Sequence, residues 1–204
     1  MRVMGVDPGL ARCGVAVVDG DARRSALTAH ELVRTGADDD AAQRLAVVHD
    51  RVIELIATWR PDVLAMERLL FNANATSAMA VAQAVGVILL AAAHADLVVA
   101  HYTPTQVKAT VTGHGDAEKA QVTYLVSAQL RLPATPRSPD VADAAAVALC
   151  HLWRGGAAAA TGTGAAADGG YRPRLAAAMA AAGPGAQVVQ PAGGRGRFDP
   201  EDAP

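Results

Sequence analysis

Four carboxylates stand where the chain changes from one kind of segment to another: Asp7, Glu67, Asp140 and Asp143. Asp7 ends the apolar run Val3 to Val6 and opens the turn tripeptide Asp7-Pro8-Gly9, with Pro suited to the second turn position and Gly to the third. Glu67 ends a compact apolar strand, Asp62 to Met66. Ser138 as N-cap and Pro139 at the first helical position put Asp140 in the opening turn of a helix. Asp143, three residues on, then lies on the same helix face. Only a fold that gathers strand ends and a helix start in one place lets these acids meet.

The segments between them describe such a fold. Gly14 to Val18 is a second apolar run, bounded by Asp19-Gly20-Asp21, and a third strand spans about Ser25 to Arg34, so the chain opens as an antiparallel meander. Leu45, Val48, Val52, Ile56 and Trp59 recur at three- and four-residue steps, predicting a one-sided apolar helix that Pro61 ends. A long helix over Asn74 to Ala93 follows the Glu67 strand, and a strand around Leu97 to Ala100 comes next. The order is β-α-β-α-β after the meander. In the long helix, Ala78, Ala82 and Gly86 form a small-residue stripe that suits packing within the chain, or a helix pair across a two-fold axis. Thr103-Pro104 opens a short helix through Thr110, Asp116 caps another running to about Arg131, and Ser138-Pro139 starts the last, which ends near Trp153.

From Gly155 onward Ala, Gly and Pro dominate, four acids balance four arginines, and periodicity is weak. Residues 155–204 read as a mostly disordered tail behind a single domain over 1–154. Cys13 and Cys150 are too few for a disulfide framework and read as buried thiols in a reducing compartment. The opening MRVMGVDPG is too short for a signal-peptide core, and the most apolar stretch, Ala78 to Ala93, falls short of the roughly 20 residues of a bilayer span. The expectation is a cytoplasmic protein with no membrane partner.

A net charge of −2 gives no support for nucleic-acid binding, but its distribution does. Between Ala100 and Pro139 the only acids are Asp116 and Glu118, against Lys108, Lys119, Arg131 and Arg137. The whole chain has two lysines against sixteen arginines, and both lysines flank one glycine turn in this stretch. Hydrolysis of a phosphodiester needs an activated water and a stabilised leaving oxyanion, tasks shared by two divalent ions roughly 3.5 to 4 Å apart. Magnesium takes hard oxygen ligands, so four converging acids suit it without histidine or cysteine. The helix N-terminus favours the ionised form of Asp140 and Asp143. Simple helix capping by that pair, a surface turn at Asp7 and an exposed strand end at Glu67 are the plain alternatives. Together the residues point to a metal-dependent nuclease.

The blocks VMGVDPGLARCGVAVV, LAMERLLFNANATSAMAVAQAVG, QVKATVTGHGDAEKAQV and SPDVADAAAVALCH, in that order, resemble the RuvC family of Holliday junction resolvases, crossover junction endodeoxyribonucleases. The resemblance covers most of residues 1 to 154. It implies an α/β, ribonuclease-H-like fold, a five-stranded mixed sheet flanked by helices on both faces, working as a homodimer. It implies two Mg2+ per active site, with Mn2+ able to substitute, held by Asp7, Glu67, Asp140 and Asp143 as catalytic acids. Lys108 and Lys119 match basic residues that engage DNA near the scissile phosphate. The implied reaction is paired symmetric nicking of a four-way junction, leaving 5′-phosphate and 3′-hydroxyl ends, in homologous recombination and DNA repair. A preference for thymine-containing sites and a RuvA-RuvB branch-migration complex as partner are implied in the same way.

Two positions depart from the family pattern. Members commonly carry Phe three residues after the catalytic Glu, where this chain has Leu70 followed by Phe71. The wedge against crossover bases then falls to Leu70 or Phe71, although only Phe71 has a stacking face and both suit core or dimer contacts. Some members have Arg where this chain has Thr76, and Arg68, beside Glu67, is the charge available instead. Three rivals stay open: the smaller resolvase-like family that processes ribosomal RNA precursors, an actin-like ATPase or sugar kinase, and a junction-binding protein without catalysis. The first lacks the Asn-rich segment and the lysine pair, and the second needs a further similar half. The third is at odds with a full set of acids.

Overall fold

The computed structural model describes residues 1–68 and 75–154. Strands β1 (Arg2–Asp7), β2 (Arg12–Gly20) and β3 (Ser25–Arg34) form the meander, followed by α1 (Ala41–Trp59), β4 (Val63–Glu67), α2 (Ala75–His94) and β5 (Val98–Tyr102). Three helices close the described chain: α3 (Pro104–Thr112), α4 (Lys119–Gln129) and α5 (Pro139–Trp153). The sheet order is β3-β2-β1-β4-β5, antiparallel between the meander strands and parallel from β1 through β4 to β5. This is the five-stranded mixed sheet that the resemblance implied.

Strand alternation divides the interior into two cores. Met4, Val6, Val15, Val17, Leu64 and Met66 pack with Val48, Val52 and Ile56 of α1 and Ile88 of α2. Val3, Ala16, Val18, Val63 and Ala65 face the other way, against α3, α4 and the almost wholly buried α5. Asp7 and Glu67 continue the second set by parity, so both acids leave their strands on the α5 side.

That side is lined with small residues because α5 lies very close to it. A methyl group on Gly5 would collide with the carbonyl oxygen of Ala144, and one on Gly14 with the carbonyl oxygen of Asp140. Gly5 pairs with Ala16 and Gly14 with Asp7 across β1 and β2, which makes a trough for the helix backbone.

Several local expectations change. Helix α4 starts at Lys119 with Glu118 in the cap position and no side-chain capping bond, so Asp116 is not its cap. It stops at Gln129, short of Arg131, which takes a left-handed φ of 52°. Ser138 occupies the cap position of α5 without capping it, because its hydroxyl turns to Asp140. The small stripe of α2 is not the face packed inward: Ala84, Ile88, Ala91 and Ala92 are buried, while Gly86 has nothing within 4 Å of where a side chain would start. At α3 the sequence is explicit, and Thr103 and Gln106 close a reciprocal capping box.

Candidate active site

Parallel pairing of β1 with β4 puts Val6 beside Met66, so Asp7 and Glu67 emerge side by side at the same end of the sheet. Gly14, the cross-strand partner of Asp7, lies under the backbone of Asp140. The start of α5 is therefore set down next to the β1 strand end, with Asp140 in its first turn and Asp143 three residues further along. The electrostatics show the result. Burial, then Asp143, Asp140 and Glu67 in that order, push the Asp7 carboxyl up to about 7, with Lys119 opposing. Glu67 is also raised, first by burial and then by Asp143, while Lys119 and Lys108 pull it down. Asp7 thus feels the other three acids and Lys119, and Glu67 feels Asp143 and both lysines.

The two acids of α5 each have a basic partner. Lys119, at the start of α4, lies 2.6 Å from Asp143 through its Nζ, and that hydrogen bond is the main reason its own pKa rises. Asp140 receives three donors on a single oxygen, Oδ2: Arg12 Nε at 2.9 Å, Arg12 Nη2 at 2.6 Å and the Ser138 hydroxyl at 2.9 Å. Burial works against its charge, but the bonds from Arg12 and Ser138 prevail and hold the carboxyl below the ordinary carboxylate range.

Arg12 is the residue that sequence reasoning passed over. Its signal was positional: Arg12, Gly14, Ala16 and Val18 share one face of β2, the face that carries α5. Arg68 sits beyond β4 with its backbone amide on the Tyr102 carbonyl at 2.7 Å, and its charge acts on His101 rather than among the causes acting on Asp7 or Glu67. Leu70 and Phe71 lie outside the described residues, as does the segment from 155.

The arrangement, carboxylates from two parallel strand ends and one helix start beside two lysines, has counterparts among known proteins. A profile of the family described as crossover junction endodeoxyribonuclease RuvC matches residues 3–151. The chain belongs to the RuvC family. It is 51% identical over 160 residues to the RuvC of Parafrankia sp. (strain EAN1pec), covering 78% of this chain and 90% of that protein. With the RuvC of Mycobacterium sp. (strain KMS) it shares 52% over 155 residues, 76% of this chain and 84% of that one. Among solved structures, Thermus thermophilus RuvC in complex with Holliday junction substrate superimposes with a TM-score of 0.73 at 36% identity, over 76% of this chain and 94% of that one. The fold is thus that of RuvC, ribonuclease-H-like.

Nucleases of the RuvC family are metal-dependent. The residues here fit a divalent ion by chemistry: all four donors are hard carboxylates, and the elevated Asp7 carries a mutual repulsion that a bound cation relieves. As the side chains stand, no group of three acids, histidines or cysteines among the described residues is drawn tightly enough to hold an ion.

Proposed function

We propose that this chain resolves four-way DNA junctions by paired, symmetric hydrolysis of two phosphodiester bonds, leaving 5′-phosphate and 3′-hydroxyl ends. The observation that carries the reading is the meeting of Asp7, Glu67, Asp140 and Asp143 from three elements, with Asp7 raised to about 7 by burial and by the other three. In this reading residues 1–154 are the nuclease unit, and the four acids hold two Mg2+ or, in substitution, Mn2+. Held there by these carboxylates, divalent ions would serve to activate an attacking water and to stabilise the leaving oxygen.

The protein's own residues do the rest. Asp7 and Glu67, half-buried at the strand ends, present carboxylates to the cleft. Lys119, with a side chain 65% exposed, is free to leave Asp143 for a backbone phosphate, and Lys108 lies within electrostatic reach of Glu67 for the same purpose. Leu70, Phe71 and Arg68 remain the candidates for contact with the crossover. A homodimer matches the two-fold symmetry of the substrate, and the outward Met79, Gly86 and Leu90 of α2 supply an apolar face for it. Cytoplasmic work in homologous recombination and repair beside a RuvA-RuvB branch-migration complex completes the proposal.

The test uses a synthetic four-way junction with magnesium or with chelator, and the nicks are mapped on each strand. Magnesium-dependent nicks at symmetric positions on opposed strands are expected. Cleavage of linear RNA alone overturns the reading in favour of an RNA-processing nuclease, and binding without nicking leaves only junction recognition. Asp7→Asn should abolish cleavage and keep junction binding, since one negative charge facing phosphate is removed.

A further inference from the structure

Neither the four-acid pattern nor the pair of lysines accounts for Arg12. We propose that Arg12 is a positioning residue for the nuclease reaction: it fixes the Asp140 carboxylate by occupying one oxygen and leaving the other to face the metal site. The inference rests on the nuclease reading above.

The geometry is built in from both ends. Asp140 is held at the backbone, because its carbonyl rests on Gly14 where no side chain intervenes. Arg12 is two residues before Gly14 on the same strand face, so the contact that seats the helix also brings the guanidinium under Asp140. The turn before Arg12 is pinned as well: the Thr35 hydroxyl donates to the Leu10 carbonyl at 2.7 Å, and the Thr35 amide to the Ala11 carbonyl at 3.3 Å. Two N–H groups of one planar fork and the Ser138 hydroxyl then converge on Oδ2, which determines the carboxylate's rotation.

Arg12 has reason to stay there when DNA binds. Its cross-strand partner on β3 is Arg34, and a guanidinium released from Asp140 would stand beside a like charge. The contrast with Lys119 is informative. Lys119 is a single flexible ammonium, 65% exposed, whereas the Arg12 side chain is 43% exposed and doubly bonded to a carboxylate only 24% exposed. Groups that orient a metal-binding carboxylate typically change metal affinity or activity 10–100-fold when removed.

The experiment compares wild type, Arg12→Ala, Arg12→Lys and Ser138→Ala in full-length protein by three readouts. These are calorimetric titration with Mn2+ alone, the Mg2+ concentration for half-maximal junction cleavage, and junction affinity in chelator. Arg12→Ala should weaken Mn2+ binding and raise the Mg2+ requirement by about tenfold, with metal-free junction affinity within twofold of wild type. Arg12→Lys, which keeps the charge but loses the fork, should recover only part of the effect, and Ser138→Ala should show a smaller loss of the same kind.

Coulomb's law alone predicts the opposite sign, since removing a cation beside the site favours another cation. Tighter Mn2+ binding in Arg12→Ala therefore overturns the proposal and makes Arg12 a lock that the metal must displace. An unchanged metal constant with weaker junction binding, restored by lysine, overturns it too and makes Arg12 a phosphate contact. Failure of wild type to cleave is a separate outcome that removes the nuclease reading itself, while Mn2+ titration still reports on Arg12 and Asp140.

Discussion

Asp7 carries its charge where burial and three neighbouring carboxylates oppose it, which is poor for stability and suited to capturing a cation. Its folded value of about 7 lies above the ordinary 3.8. A raised acid contributes stability fully present below its unfolded value, and that contribution is lost as pH rises through the folded one. At pH 8 in chelator Asp7→Asn should therefore stabilise the protein, by about 1–2 kcal/mol or roughly 3–8 °C in thermal midpoint. An unchanged or lower midpoint means that the repulsion is absent. His151 gives the opposite sign at another place. It is 1% exposed, burial lowers its pKa, and Nδ1 meets the Tyr102 hydroxyl at 2.8 Å while Nε2 has no hydrogen-bond partner among the described residues. A lowered base contributes stability present above its unfolded value, near 6.5, and lost as pH falls through the folded value. Denaturant midpoints of the wild type should drop below about pH 6.5. His151→Phe should flatten part of that drop, at a cost of about 1–2 kcal/mol at pH 7.5 for the unpaired Tyr102 hydroxyl. Parallel curves for the two proteins would place the acid sensitivity elsewhere.

At the scale of elements, everything in the site depends on the height of α5 above the sheet. Gly5 has no room for a methyl group beneath the Ala144 carbonyl, so Gly5→Ala must lift the helix or bend the strand. A loss of about 1–3 kcal/mol is expected from the denaturation midpoint, with cleavage falling further than stability because Asp140 and Asp143 move with the helix. A variant that matches wild type in both measurements would show that the approach is looser than described. Helix α2 presents the other exposed element. Met79 and Leu90 are 63% and 42% exposed, with Gly86 open between them. If the proposed homodimer uses this face, wild type should sediment as a dimer and Leu90→Glu as a monomer, with the circular dichroism spectrum unchanged. Dimers that survive it place the interface on another face.

For the molecule as a whole, the legible part of the sequence was its punctuation. Apolar runs that stop at Asp7 and Glu67, and a helix opened by Ser138-Pro139, are local signals, and the elements followed them closely. The start of α4 was harder to read because Asp116 looks like a cap, whereas the helix begins at Lys119 behind Glu118, whose side chain makes no capping bond. The strand alternation places Arg12 on the face that carries α5, but its partner was not legible, since Asp140 lies 128 residues away and the two meet only through helix packing. Glycines inside β1 and β2 hinted at a close backbone approach, without saying to what. The sheet that carries these strands also separates two cores, with all of the acids on one side of it. Substitutions in the core that α1 and α2 pack against the sheet are therefore separated from the four acids by the sheet itself, and distant changes tend to combine additively. Repacking of that inner core can therefore tune stability while the layer that carries the acids stays as it is, so one sheet serves both as floor for the chemistry and as partition from the rest of the interior.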